Sequence, residues 1–304
     1  MIMLANVGKV RDSYVLEEDS EHLVVVATDR VSAYDRVMSE GILHKGLVLT
    51  ATSMFWFNEL ARLLPTQSPV LLSSQALDQL GLDDCVLGRT TEVKKADMVP
   101  VECVVRGFLA GSAWQEYKAY QSIGGRPAPT KLTLGDRLAE PIFTPTTKEQ
   151  KGHDVALSLS ELRDKVGTNL ATQLEELSLQ IYERALVVAM EKDLVIADTK
   201  FEFGYIGGAL SLCDEVLTPD SSRYWRADSV RSGVEPVQLD KQILRDWLFQ
   251  NSWSGDGEPP HLPEVLRSQI SRSYISIYES LTGSNFLDWP GSGSEVCYLG
   301  ERLQ

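Results

Sequence analysis

The segment 194–204 constrains the fold of this chain more than any other feature. It reads LVIADTKFEFG, an apolar run followed by Asp198, Lys200 and Glu202, each separated from the next by one uncharged residue. Because strand side chains point alternately to opposite faces, the charged residues share one face over about 13 Å, and the phenylalanines pack on the other. The segment therefore predicts a strand whose charged face is either a site for a metal-bound phosphate ester or an ordinary half-solvated surface.

A turn signal directly follows this strand. Residues 205–208 read YIGG, which predicts a hairpin, and 209–216 predicts the returning strand. Asp214, late on that strand, is then expected near Lys200 and Glu202. The two carboxylates could share Mg2+, which prefers carboxylate and phosphate oxygens, while the lysine offers a point charge to an anion. A simple cross-strand ion pair is the open alternative.

Length and composition indicate the class of protein. With 304 residues, of which 43% are hydrophobic and 24% charged, the chain predicts a soluble globular protein, and two lobes are favoured over one large domain. The net charge of −14 argues against general nucleic-acid binding, which depends on a basic surface. An anionic substrate would need a local basic pocket.

The cysteines and histidines argue against disulfides and zinc. Cys85, Cys103, Cys213 and Cys297 form no CxxC pair, which is typical of reduced thiols in a cytosolic protein, and no HExxH motif occurs. Any metal is therefore expected to be held by carboxylates. Without a secretory h-region or an apolar run of membrane-spanning length, the sequence predicts a cytoplasmic protein with no membrane partner.

Regular elements can be predicted along most of the chain. Strands are indicated near 14–16, 22–27, 69–74 and 98–106, with a buried helix over 47–64. Capping boxes at Ser112 and Ser158 predict helices to about Tyr120 and, with a break at Gly167, to Lys192. Further helices are indicated near 239–250 and 262–282. The proline- and glycine-rich segment 124–148 is predicted to be a flap without regular structure.

Several cationic segments are candidates for binding anions. Arg106 and Ser112 lie where a strand leads into a helix N-terminus, so they could bind a phosphate, or they could be a solvated arginine and a helix cap. The turn Gly8-Lys9-Val10-Arg11 could cover nucleotide phosphates, or be a solvated basic turn. Arg223 and Arg245 could each bind carboxylate or phosphate, or lie on the surface.

Taken together, these segments resemble the family of phosphoribosylaminoimidazole-succinocarboxamide synthases, the SAICAR synthetases. The resemblance covers most of residues 6–250, with the blocks in the family order. They are GKVRD at 8–12, ATDRVSAYD at 27–35, HKG at 44–46, VPVECVVRGFLAGSAWQEY at 99–117, ADTKFEFG at 197–204, DEVLTPDSSRYW at 214–225 and DKQILRDWL at 240–248.

The resemblance implies an ATP-dependent ligase of purine biosynthesis. Its substrates would be carboxyaminoimidazole ribonucleotide, L-aspartate and ATP, with Mg2+ as the metal. Because a carboxylate is a poor electrophile, the reaction is expected to pass through an acyl phosphate that the aspartate amine attacks. Phosphoryl transfer depends on positioning and charge neutralisation, so no protein nucleophile is expected.

The resemblance also assigns roles to residues. For ATP it implies Gly8, Lys9, Arg11, Met98, Glu102 and Lys148, and for Mg2+ it implies Glu202 and Asp214. The ribonucleotide pocket would contain Arg106, Ser112, Asp198, Lys200, Arg223 and Arg245. Asp198, Lys200 and Asp154 are the expected catalytic residues, with Asp154 near the aspartate amine. Glu202 would face the metal and ATP, whereas Asp198 and Lys200 would face the ribonucleotide.

The implied fold is α+β with two lobes and C-terminal helices. Residues 1–105 would form a nucleotide-binding lobe, an antiparallel sheet like the small lobe of protein kinases. Residues 106–304 would form an ATP-grasp-like catalytic lobe with a helical extension. Two other functions stay open at this stage: a small-molecule kinase that uses the strand-borne DxK, as in inositol-phosphate kinases, and a catalytically silent nucleotide-binding protein.

Overall fold

The computed structural model describes residues 2–17, 19–148 and 155–298. Contacts within the chain divide it into two compact units. The first unit consists of Met1–Ala96 together with Asp240–Gln304, and the second unit is Asp97–Leu239. The predicted boundary near residue 105 is close to the start of the second unit, but 240–304 groups with the N-terminal segment. The functional division into lobes 1–105 and 106–304 stays a prediction.

The described residues form a mixture of helices and mostly short strands, which confirms the predicted α+β class. The helices are α1 (Lys45–Leu60), α2 (Ser74–Leu80), α3 (Gly111–Tyr120), α4 (Leu159–Val166), α5 (Thr168–Met190), α6 (Gln242–Gln250) and α7 (Glu264–Thr282). The strands are β1 (Ile2–Val7), β2 (Arg11–Leu16), β3 (Asp19–Ala27), β4 (Ser32–Ala33), β5 (Arg36–Val37), β6 (Val70–Leu71), β7 (Thr90–Lys94), β8 (Asp97–Met98), β9 (Val101–Phe108), β10 (Ser122–Ile123), β11 (Arg126–Pro127), β12 (Arg137–Phe143), β13 (Thr146–Thr147), β14 (Leu194–Ile206), β15 (Ala209–Cys213) and β16 (Ser222–Arg226). Short 3-10 helices lie at Asp84–Val86, Ala227–Ser229 and Phe286–Asp288.

The first unit contains an antiparallel sheet in the order β1-β2-β3-β7-β6. The pairing of β2 with β3 confirms the predicted hairpin. Helix α1 packs against α7, and apolar side chains from both helices and from α6 share one buried cluster that includes Leu47, Leu244 and Tyr274. This cluster explains why the C-terminal helices group with the N-terminal segment rather than with residues 106–239, because burying their apolar faces stabilises them there.

The second unit is built around β14. Its sheet has the order β12-β9-β14-β15, and β16 and β8 also pair with β14 while β13 pairs with β9. Helix α5 packs on β14 and β9. The Tyr182 hydroxyl of that helix donates to the Ile196 carbonyl at 2.6 Å. A Cβ added at Gly107 would lie 2.1 Å from the same hydroxyl, so close contact between helix and sheet requires glycine there.

The segment 124–148 is more ordered than its composition indicates, and the prediction of a flap without regular structure is wrong. It contains β12 and β13, both paired with β9. Strand β12 ends the principal strand order, and its register shifts between Arg137 and Ile142, around Pro141. Edge strands and bulges tolerate proline because they do not need every backbone N–H for the ladder.

Of the two predicted capping boxes, one is confirmed and the other is wrong. Ser158 forms the predicted capping box with Glu161, and Gly167 separates α4 from α5 at the predicted break. The box predicted at Ser112 is wrong, since α3 begins at Gly111 after Ala110, which makes no side-chain cap. None of the helices in the described part of the chain combines the length and hydrophobicity needed to cross a membrane.

Candidate active site

The register of the second unit's sheet places Asp198 between two arginines. Asp198 of β14 is directly opposite Arg106 of β9 on one side and Arg223 of β16 on the other. Arg106 Nη1 lies 3.2 Å from Asp198 Oδ2, and Arg223 Nη1 contacts the same oxygen. One carboxylate therefore holds two guanidinium groups side by side, which leaves a net positive charge suited to an anion.

The same arginines reach the start of helix α3. Arg106 Nη2 donates to Ser112 Oγ at 3.1 Å, and its Nε donates to Thr144 Oγ1 at 3.0 Å. A Cβ added at Gly111 would lie 2.6 Å from Arg223 Nη2, so glycine leaves the space that the guanidinium occupies. Ser112 thus holds Arg106 rather than capping the helix. The positive charges of Arg106 and Arg223 therefore lie beside the positive end of the α3 dipole.

Further along the same face of β14, a lysine lies among carboxylates. Lys200 Nζ contacts Glu102 and lies 3.5 Å from Glu202 Oε1, and Lys148 Nζ contacts the other oxygen of Glu202. Asp214 is close enough to both Lys200 and Glu202 to shift their pKa values. Three carboxylates thus face two ammonium groups, which leaves a negative surplus suited to a cation.

Burial and charge determine how these groups titrate. Burial alone would lower the pKa of Lys200, but Glu202 and Glu102 outweigh it and raise that pKa, so the ammonium form is held. The pKa of Glu202 is raised by burial first and by Asp214 second, against Lys200 and Lys148. Burial lowers the pKa of Arg106, while Asp198 opposes that change. The protonation state of each of these groups therefore depends on the charges of its neighbours.

The hairpin brings Asp214 to this cluster in a strained backbone conformation. Strand β15 ends at Cys213, which is opposite Glu202, and Asp214 follows with φ 62°. The predicted return to residue 216 is therefore too long by three residues. Met98, expected near adenine, is partly exposed on β8 and pairs with Gly204 of β14. Glu102, expected in the adenine-contacting segment as well, contacts Lys200.

The glycine turn lies in the first unit, between β1 and β2. The Gly8 N–H donates to the Arg11 carbonyl at 2.7 Å, and a Cβ at Gly8 would lie 2.6 Å from that oxygen. The turn therefore requires glycine. Lys9 is exposed, and its Nζ contacts the Asp35 carboxylate. Lys9 and Arg11 are thus presented by a tight turn, as predicted, although Lys9 is paired with an acid.

The structure does not test the predicted roles of Arg245 and Asp154. Arg245 lies on α6 in the first unit, whereas the arginine and lysine clusters belong to the second. Asp154 lies outside the described residues. The roles of both stay predictions.

Comparison with known proteins identifies the chain's relatives. The SAICAR synthetase family model matches residues 4–260. A phosphoribosylaminoimidazole-succinocarboxamide synthase of Saccharopolyspora erythraea is 44% identical, over 93% of this chain and 95% of that protein. The enzyme of the same name from Rhodococcus erythropolis is 45% identical, with the same coverage. The chain belongs to the SAICAR synthetase family. A SAICAR synthase structure from Saccharomyces cerevisiae, complexed with SAICAR, superposes with TM-score 0.81 at 37% identity, over 93% of this chain and 96% of that one.

Membership in the SAICAR synthetase family confirms the predicted enzyme class, an ATP-dependent ligase of purine biosynthesis. Burial excludes one of the two interpretations of the β14 face. Asp198 is 9% exposed and Glu202 is 4% exposed, with Phe201 and Phe203 fully buried on the other face. The alternative of an ordinary half-solvated strand is therefore wrong.

Sequence reasoning missed two threonines at this site. Thr144 accepts from Arg106, and Thr146 Oγ1 lies 3.4 Å from Glu102 Oε2. Both belong to the segment TPTTK at 144–148, which was predicted to be part of a flap without regular structure. The pairing of β13 with β9, and the bond from the Thr144 N–H to the Val104 carbonyl at 2.8 Å, bring these hydroxyls to the charged face. The cluster of threonines beside Lys148 was the available signal.

Proposed function

We propose that this member of the SAICAR synthetase family joins L-aspartate to the carboxylate of carboxyaminoimidazole ribonucleotide, with ATP converted to ADP and phosphate through an acyl phosphate. A carboxylate oxygen attacks the ATP γ-phosphorus and ADP leaves; the aspartate amine then attacks the acyl carbon, phosphate leaves, and the amine loses a proton. The observation that carries this proposal is the charged face of β14, which has a surplus of positive charge in one half and a surplus of negative charge in the other.

The arginine cluster is the proposed site for the ribonucleotide. Arg106 and Arg223 are both tied to Asp198, which fixes the direction of their remaining N–H groups. A planar guanidinium binds phosphate or carboxylate through two parallel hydrogen bonds, and its position is best defined when another group already holds it. Ser112 and the N-terminus of α3 add hydroxyl and backbone donors to the same anion.

Lys200 is the proposed cation for the phosphoryl group in transfer. Its Nζ lies between Glu102 and Glu202, which keep it protonated and limit its movement. A fixed positive charge stabilises the transition state because it requires little reorganisation as negative charge develops. Lys148 contacts the same Glu202 from a more exposed position, which is consistent with a residue that meets ATP.

The donor set fits Mg2+. Proteins usually bind this ion through one or two carboxylates, and phosphate and water oxygens complete the shell. Glu202 and Asp214 offer two such carboxylates. Within the described residues no group of three or more His, Cys, Asp or Glu side chains is arranged as a metal site, so phosphate and water would supply the other ligands. When bound, Mg2+ would neutralise charge on the ATP phosphates.

The glycine turn is the proposed contact for the nucleotide phosphates, with Lys9 and Arg11 as its cations. We further propose that the lobe 1–105 resembles the small lobe of protein kinases and that 106–304 is ATP-grasp-like. The antiparallel sheet of the first unit, with its tight glycine turn, supports the first part of that proposal. The roles of Met98, Asp154 and Arg245, and the cytoplasmic location, stay predictions.

An isotope experiment tests the acyl phosphate. Ribonucleotide labelled with 18O in its carboxylate should release phosphate that carries one labelled oxygen, because the attacking carboxylate oxygen leaves with the phosphoryl group. Mass spectrometry of the phosphate measures the transfer, with unlabelled ribonucleotide in labelled water as the control for exchange. Phosphate free of label after full turnover would contradict the intermediate.

A further inference from the structure

Arg30 connects the glycine turn to distant parts of the first unit. Its Nη2 donates to the Gly8 carbonyl at 2.9 Å and to Asp12 Oδ1 at 2.6 Å. Its Nη1 donates to Asp12 Oδ2 at 3.1 Å and to the Tyr298 carbonyl at 2.7 Å. The guanidinium thus binds the first residue of the turn, the first acid after the turn, and a backbone carbonyl far away in the sequence.

Different groups hold the two ends of the turn. Its far end is held because Thr28 donates to the Val10 carbonyl through both its backbone N–H, at 2.9 Å, and its hydroxyl, at 2.8 Å. At the near end, the Gly8 carbonyl accepts from Arg30. Asp12 is fully buried, so its pair with Arg30 is well shielded from water.

Arg30 is itself held by the tail segment, which we define as residues 294–298. The Asp29 N–H donates to the Cys297 carbonyl, and the Cys297 N–H donates to Asp29 Oδ2, both at 2.8 Å. This reciprocal pair places the Tyr298 carbonyl against Arg30. The Tyr298 hydroxyl accepts from the Gly41 N–H at 2.8 Å. The tail segment is therefore fixed on both sides of the carbonyl that binds the guanidinium.

A buried ion pair fastens the other end of the tail segment. Arg89 Nη1 lies 2.8 Å from Asp29 Oδ2, and Arg89 Nη2 donates to Ser294 Oγ at 3.1 Å. Arg89 and Asp29 are fully buried. Breaking such a pair leaves an uncompensated charge in the interior, so detaching the tail segment would cost substantial free energy. The match to the family model ends at residue 260, so the tail segment lies beyond the matched part of the chain, whereas Asp29 and Arg89 lie within it.

We propose that Arg30 is a positioning residue for nucleotide binding, and that the tail segment holds it in place. By fixing the Gly8 carbonyl, Arg30 sets the orientation of the turn that carries Lys9 and Arg11; by binding Arg30, the Tyr298 carbonyl sets the guanidinium plane. The inference rests on the proposed role of the turn in binding ATP phosphates. Linkage makes the coupling reciprocal: nucleotide on the turn must stabilise the tail segment by the same free energy.

The first test is Arg30→Lys in the full chain. Lysine keeps the charge but cannot make the forked contacts with the turn, Asp12 and Tyr298 together. We expect KM for ATP to rise about tenfold, with kcat at saturating ATP changed less than about twofold and KM for aspartate unchanged. The matched control is Arg226→Lys, another arginine paired with a carboxylate, but exposed and in the second unit, which should leave all three constants unchanged.

The second test uses the unmodified protein. Hydrogen exchange of the Cys297 and Gly41 amides should slow severalfold when ADP and Mg2+ are added, because these N–H groups anchor the tail segment. This measurement does not depend on whether the Arg30 variant folds. Exchange rates unchanged at saturating ADP, or an Arg30→Lys effect spread equally over both KM values and kcat, would overturn the inference.

A third variant separates this inference from the proposed role of the turn. Lys9→Ala should raise KM for ATP if the turn binds nucleotide phosphates. If Lys9→Ala raises that KM while Arg30→Lys does not, the turn keeps its role and only the inference about Arg30 fails. If neither variant changes KM for ATP, the proposed role of the turn fails, and the inference fails with it.

Discussion

Lys200→Met should lower kcat by at least about 100-fold, the largest effect that we expect from one substitution. Removing one positioned donor from a transition state commonly costs a factor of about 100 to 1,000 in kcat. Lys200 is held for such a role by Glu102 and Glu202, which both contact its ammonium group. Initial rates of ADP release at saturating ATP, ribonucleotide and aspartate measure the change.

The same substitution should also lower the thermal midpoint, so the assay must separate folding from activity. Glu102 and Glu202 are buried, and loss of their shared cation leaves charge unpaired in the interior. Circular dichroism at the assay temperature should still show folded protein. Lys165→Met, an exposed lysine on α4, is the matched control and should change neither property. If kcat falls only in proportion to the fraction of unfolded protein, Lys200 has a structural role and no catalytic one.

Gly111→Ala should raise KM for the ribonucleotide by about tenfold or more. A Cβ at this position would lie 2.6 Å from Arg223 Nη2 and 2.9 Å from its Nη1, so the guanidinium must move. Displacement would break its contact with Asp198, and with it the arrangement of Arg106 beside Arg223. Steady-state kinetics with ribonucleotide as the varied substrate measure the effect, and KM for ATP should change much less.

Gly125→Ala is the matched control for this substitution. Gly111 and Gly125 have φ of 53° and 72°, so alanine costs roughly 1 kcal/mol or more of folding stability at either position. An added Cβ at Gly125 meets no atom within 4 Å, whereas at Gly111 it meets Arg223. Both variants should lose thermal stability, but only Gly111→Ala should lose affinity for ribonucleotide. Equal KM values would show that Arg223 does not bind this substrate.

Local patterns in the sequence were sufficient to predict the strand and the hairpin that carry the candidate site. Alternation over 198–203 identified β14 and its two faces, and the paired glycines at 207 and 208 identified the hairpin to β15. The reciprocal hydrogen bonds of Ser158 and Glu161 need only residues three apart, so the capping box was also predictable. Such features depend on backbone geometry within a few residues.

Contacts that depend on long-range register were not predictable in the same way. Arg106 and Asp198 are 92 residues apart, and their meeting requires β9 and β14 to pair in one particular register. The alternation of β14 indicated which side chains share a face, but not that β9, β15 and β16 pair with it or that helix α5 packs on it. For this reason the sequence left the solvated interpretation open, and Glu102 was not placed beside Lys200.

The Ser112 and 124–148 predictions failed because tertiary contacts overrode local preference. Ser112 has the right neighbours for a capping box, but its hydroxyl accepts from Arg106, and the helix starts one residue earlier. The prolines of 124–148 disfavour regular structure, yet β12 pairs with β9 at an edge where proline is tolerated. In both places, the hydrogen bonds that form in the folded chain determine the local structure.

The proposal that this chain is a carboxylate-amine ligase is tested most directly by ADP release with each substrate omitted in turn. Robust ADP formation should require ATP, carboxyaminoimidazole ribonucleotide and L-aspartate together, and SAICAR should accumulate in equal amount. Robust turnover with a hydroxyl-bearing small molecule and no aspartate would contradict the ligase account and favour the small-molecule kinase.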